Sequence, residues 1–98
     1  MKYRVHLRAD AETDIEEAAT WYEIQRKGLG DEFLDEVLRT FKRISDNPYM
    51  YAVAHRHTRR ALIHRFPFAI CYRTEEESLV VVAVMHSSRH PKRWQKRT

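Results

Sequence analysis

The sequence is poor in the residues that break or cross-link a chain: one cysteine, two glycines and three prolines in 98 residues. The lone thiol, Cys71, has no intramolecular partner, which excludes a disulfide scaffold and fits a reducing compartment. Set between Ile70 and Tyr72, it is expected to pack as a small buried hydrophobe. Two glycines leave no room for a flexible linker or a phosphate-cradling loop. The longest apolar run, residues 79–85, falls far short of the roughly 20 residues a membrane helix needs. The first residues contain no apolar stretch resembling a signal peptide, so a soluble, cytoplasmic protein without membrane contact is expected.

Charge is abundant and unevenly placed. Residues 1–50 hold 8 Lys/Arg against 11 Asp/Glu, a balance of −3, whereas residues 51–98 hold 10 against 3, a balance of +7. Five of the six histidines also lie in the second half. The arginines there interrupt strand-like runs, Thr58 to Arg65 and Phe68 to Arg73, rather than forming a tail. A basic surface built on strands predicts an acidic partner, either a polyanion or an acidic protein segment.

Periodicity predicts the order β-α-α-β-β-β in one domain spanning residues 1–98. Tyr3, Val5 and Leu7 alternate with polar residues as in a strand with one wet face. Ala11, Ile15, Ala18, Ala19 and Tyr22 form a helical stripe from Asp10 onward, and Phe33, Val37, Phe41 and Ile44 form a second. Acids crowd the start of each helix and bases its end, as the helix dipole favours. Gly28 suits a helix stop, Asn47-Pro48 ends the second helix, and the three residues from Gly28 to Gly30 make the pair an antiparallel hairpin. Residues 49–57 read as a loop. Three strands follow, joined by a tight turn at Pro67 and a polar hairpin tip at Glu75-Glu76-Glu77. The uniformly apolar Leu79 to Met85 predicts a strand covered on both faces, hence interior to the sheet. The expected fold class is α+β: a helical hairpin on a small, mostly antiparallel four-stranded sheet, with a short basic tail.

Several chemistries find no support in the motifs. His55-x-His57 and His86-x3-His90 lack the further ligands a metal site requires, so no metal and no cofactor is expected. Ser87 and Ser88 follow His86 without a nucleophile elbow. The arginine-bearing strands are the serious candidate. Arg59, Ala61, Ile63 and Arg65 point to one side and Arg60, Leu62 and His64 to the other, so guanidiniums are available for phosphates or carboxylates. The competing reading pairs them with the chain's own acidic helices. Trp94, among Lys92, Arg93 and Arg97, either stacks on a base or pins the tail to the core.

In this order and spacing, the residues resemble the RelE/ParE superfamily of type II toxins. Ala11 through Tyr22, with Asp14, Ile15 and Trp21, is similar to the family's first helix; Gly30, Phe33, Ile44 and Asn47-Pro48 to its second helix and exit; and residues 65–73 to its central hairpin. His86-x-x-Arg89-x-Pro91-x-x-Trp94 resembles the end of the ParE-like, plasmid-stabilisation branch. The resemblance implies a toxin that inhibits a nucleic-acid enzyme, DNA gyrase, by binding it, and that is neutralised by a ParD-like antitoxin. It implies target contacts at Arg59, Arg60, Arg65, Arg73, Arg89, Arg93 and Trp94, and antitoxin contacts at Trp21, Leu29, Tyr49 and Tyr51. The alternatives are a RelE-like ribosome-dependent mRNA endonuclease, with His86, Arg65 and Arg89 as its catalytic groups, and an inactive relative. Against the nuclease, Ala69 and Trp94 stand where nuclease members place an arginine and often a tyrosine, and an indole N–H is neither a general acid nor a general base.

Overall fold

A computed structural model describes residues 3–88 and 91–97. Strand β1 (Arg4–Leu7) leads directly into helix α1 (Ala9–Gln25), followed by α2 (Leu29–Asp46), β2 (Val53–His55), β3 (Thr58–Leu62), β4 (Phe68–Glu75), β5 (Ser78–His86) and a one-turn helix α3 (Lys92–Gln95). The sheet order is β1-β5-β4-β3-β2. All its pairings are antiparallel except β1 with β5, which run parallel. The sheet therefore has five strands, where four were expected. The fifth, β2, lies in the segment read as a loop. It is three residues long, shows no alternation in burial, and exists through pairing with β3 across a turn in which Arg56 takes a positive φ of 53°.

The helical hairpin covers one face of the sheet. Ala11, Ile15, Ala18 and Tyr22 of α1 and Phe33, Val37, Phe41 and Ile44 of α2 meet Ala61, Ile70, Tyr72, Leu79, Val81 and Val84. Each large apolar side chain removed from water here contributes about 1.5–3 kcal/mol. The two glycines at the hairpin bend do different work. Gly28 sits at φ +89°, a conformation costly for other residues. A Cβ on Gly30 would lie 2.7 Å from the Ala19 carbonyl oxygen, so its absence lets the helices close up. The Glu23 carboxylate accepts the Gly28 and Gly30 amides and thereby caps α2, while Arg26 and Lys27 fall just beyond the end of α1. Ser45, buried at the end of α2, hydrogen-bonds both the amide and the carbonyl of Tyr3 and so anchors the start of β1.

The opposite face is covered only in part, by α3. Trp94 is buried there against Cys71, Val82 and Ala83. Both faces of β5 are thus covered along much of its length, which is why its sequence is apolar throughout. A bulge opposite Cys71 and Tyr72 adds one residue to β5. As a result Val81 and Val84 both face the helices, while Val82 and Ala83 both face α3. Burial pushes the Cys71 thiol pKa up to about 12.

Candidate target and partner interface

The arginines divide between two surfaces. Arg59, on the helix side of β3, is committed to structure: it donates to the Tyr49 and Tyr51 carbonyls and lies over the Tyr49 ring. Arg65 sits in the β3–β4 turn at φ +72° and its guanidinium faces α2, 2.7 Å from Glu32 and 4.0 Å from Glu36. Paired with Arg65 and Arg26, Glu32 is held below the ordinary carboxylate range. Arg60 and Arg73 lie on the other face of the sheet, at ladder positions beside Cys71 and Val80. Among the described residues, Arg73 reaches a single carboxylate, Glu75, at 3.6 Å. Arg60 carries no side-chain hydrogen bond or ion pair among the described residues. It lines a recess of about 330 Å³ together with Ala69, Cys71, Met85, His86 and Trp94.

This distribution changes how the expected site residues are seen. Arg59 and Arg65 are spent within the chain, whereas Arg60, Arg73 and the exposed Arg93 leave positive charge open. Trp94 is 6% exposed and seals the recess from behind, so it anchors α3 and is not an open stacking platform. The His86 ring accepts at Nδ1 from the Ser88 amide at 3.1 Å and packs edge-on to Phe68. Arg89 lies outside the described residues, as does His90 of the His86-x3-His90 spacing. Among the described residues, no three His, Cys, Asp or Glu side chains converge as metal ligands would. No helix among them is long and apolar enough to cross a membrane.

The four residues expected to meet an antitoxin are not one patch. Trp21 and Tyr49 are both 57% exposed. Leu29 and Tyr51 instead pack against the core, Tyr51 edge-on to Tyr72. Trp21 borders a groove of about 900 Å³ between α1 and the outer edge of β5. Its α1 wall carries Asp10, Asp14, Glu17 and Trp21; Phe68 and Val84 form its floor; Arg93 and Arg97 stand opposite. Arg97 crosses one end. Its guanidinium lies 2.7 Å from the Asp14 carboxylate, 3.6 Å from Asp10 and 3.1 Å from the Val82 carbonyl, while Asp14 also accepts the Val84 amide at 3.0 Å. Hydrogen bonding to Asp14 raises the Arg97 pKa above its already high ordinary value. Sequence reasoning overlooked this groove. Its signal was the spacing 10, 14, 17, 21, a second stripe on α1 beside the apolar one.

Residues 5–91 match the family model described as the ParE toxin of the type II toxin–antitoxin system parDE. The chain is 30% identical over 97 residues to the Toxin ParE2 proteins of two Mycobacterium tuberculosis strains, CDC 1551/Oshkosh and H37Rv, covering 93% of this chain and 88% of theirs. Its fold is similar to a chain in the structure titled "Chromosomal ParDE TA system from P. aeruginosa", with a TM-score of 0.72 over 87% of this chain and 96% of that one, at 12% identity.

Proposed function

The chain belongs to the ParE toxin family of type II toxin–antitoxin systems, and from that premise we propose that it binds and inhibits a nucleic-acid enzyme, DNA gyrase, and is neutralised by a ParD-like antitoxin. The observation that carries this reading is the pairing state of the cations. Arg60 and Arg93 have no partner among the described residues and Arg73 is only loosely held, so the side of the sheet bearing α3 keeps an unspent positive surface for an acidic macromolecule.

The test is a supercoiling assay with purified gyrase and micromolar toxin. Inhibition is expected, and it should weaken when Arg60 and Arg93 are both reversed to glutamate. Full supercoiling at that toxin concentration would refute the gyrase target. A second reading, ribosome-dependent mRNA cleavage, is favoured by the recess that places His86 beside Arg60. Codon-positioned cuts in toe-printing on translating ribosomes would establish it. Unimpaired growth on expression without antitoxin would instead mark an inactive relative.

A further inference from the structure

We infer that the recess beside Arg60 is the socket by which the chain grips its protein target, and that its occupant is one acidic side chain of that target, set next to an apolar residue. This rests on the reading that the chain acts by binding an enzyme. It adds which contact on the face bearing α3 anchors the target, and what chemistry the target presents there.

The recess is built on the sheet itself. Arg60 stands opposite Cys71 across the β3–β4 ladder, and Leu62 opposite Ala69. Parity along β3 puts Arg60 and Leu62 on the same face. Ala69, Cys71 and Trp94, all buried, make the floor, and Met85 and His86 extend the lining. Among the described residues, no carboxylate lines the recess. Arg60 is half-buried, and its charge is felt at the floor: burial raises the Cys71 thiol pKa, and the Arg60 charge opposes that rise. A cation partly withdrawn from water without a counterion carries a desolvation cost that a bound anion offsets. His86 supplies a further donor. With Nδ1 accepting the Ser88 amide, the neutral ring carries its proton on Nε2.

The surroundings select the occupant. A guanidinium takes a carboxylate through two parallel hydrogen bonds, and the described lining holds one guanidinium, so the recess takes one acid. Leu62, two residues along the same face, is 57% exposed. A partner that lays an apolar side chain on Leu62 excludes water from the Arg60 pair, and ion pairs strengthen where water is excluded. The matching surface therefore has an acid and an apolar side chain close together. A run of acids gains nothing from a single guanidinium. Nucleic acid fits less well: successive phosphates call for a row of cations and open aromatic faces, whereas the recess offers one arginine and the Trp94 ring is buried.

The test uses the whole toxin with purified gyrase. Arg60→Met keeps the apolar stem and removes the charge; it should weaken inhibition of supercoiling about tenfold, and Arg60→Glu should weaken it further. Leu62→Ala should weaken it severalfold. Melting temperatures should stay unchanged, since Arg60 gives up no partner among the described residues. Arg60→Lys then places an amine at the socket, which a zero-length carbodiimide joins as an amide to a carboxylate it touches. A cross-link from position 60 to one Asp or Glu of gyrase is expected, and reversing that acid to lysine should restore inhibition by the Arg60→Glu toxin. Undiminished inhibition by Arg60→Glu, or cross-links from other lysines only, overturns the socket while the gyrase reading stands. No inhibition by the wild-type toxin overturns that reading and the socket with it. Labelled single-stranded RNA that the toxin binds and Arg60→Met releases would assign the recess to phosphate, which also overturns the inference.

Discussion

Replacing Asp14 by alanine should cost about 3 kcal/mol of folding free energy. Its carboxylate is 15% exposed and accepts from the Arg97 guanidinium, itself 21% exposed, at 2.7 Å, and from the Val84 amide at 3.0 Å. A hydrogen bond between charged groups in such a setting is worth about 1.5–3 kcal/mol, and an amide left without a partner costs about 1 kcal/mol or more. Arg97 would lose its principal counterion while retaining the distant Asp10 and the Val82 carbonyl. Urea denaturation at neutral pH measures the loss. Asp14→Asn, which keeps an oxygen for Val84 but no charge, should lose about half as much. Arg97→Ala combined with Asp14→Ala should cost clearly less than the two single changes together, because one interaction is being removed twice. A loss below about 1 kcal/mol for Asp14→Ala would place the pair among ordinary screened surface pairs. Strict additivity in the double variant would show that the two side chains act separately. Either result refutes the claim that this bridge ties the tail to the sheet.

Three further outcomes are expected. Gly30→Ala should destabilise by about 2 kcal/mol or more, because the new methyl meets backbone at 2.7 Å, whereas Gly28→Ala, which meets nothing within 4 Å, should cost only about 1 kcal/mol for its positive φ; paired thermal melts compare them. Trp94→Ala should uncover Cys71 and release α3, read as faster reaction of the single thiol with a chromogenic disulfide, whereas the wild-type thiol, with its pKa near 12, should stay inert. Glu32 has a folded pKa below its unfolded value of 4.5, so its contribution to stability is present above that value and is lost as pH falls through the lowered one. Glu32→Gln should therefore narrow the stability difference between neutral and strongly acidic solution, measured by urea midpoints at both.

Much of the fold was legible because period and composition agree along most of the chain. Two helical stripes, a two-residue alternation in β1 and a polar tip between β4 and β5 each have one solution. The elements that escaped are those made by distant partners. Val53 to His55 has no pattern of its own and is a strand because β3 lies beside it. The residues of α3 are too few to form a stable helix unaided, and it stands because Trp94 is buried beneath it. The bulge in β5 was hidden by the very uniformity that marked the strand as interior, since a run apolar at every position records no phase.

The site was less legible, for an electrostatic reason. Parity along β3 assigns Arg59 and Arg60 to opposite sides, and the structure does so too. Parity does not say which arginine will meet a carbonyl or a carboxylate brought from elsewhere. The 49–52 segment supplies carbonyls to Arg59, and α2 supplies Glu32 and Glu36 to Arg65. Two of the most suggestive cations in the sequence are thereby taken out of the candidate surface, and the groups left open are Arg60 and Arg93, on the face that the helical hairpin leaves bare. The acidic helices thus do two things that the formal charge of each half conceals. They neutralise the near side of the basic half, and along α1 they build one wall of the groove beside β5. A partner of this chain meets a positive surface on the face bearing α3, where Arg60 lies, and a mixed one at the sheet edge, and Arg93 borders both. Reversal of Arg60 alone should therefore weaken action on the target while leaving capture of the antitoxin unchanged, whereas reversal of Arg93, which lines the groove beside α1, should weaken both.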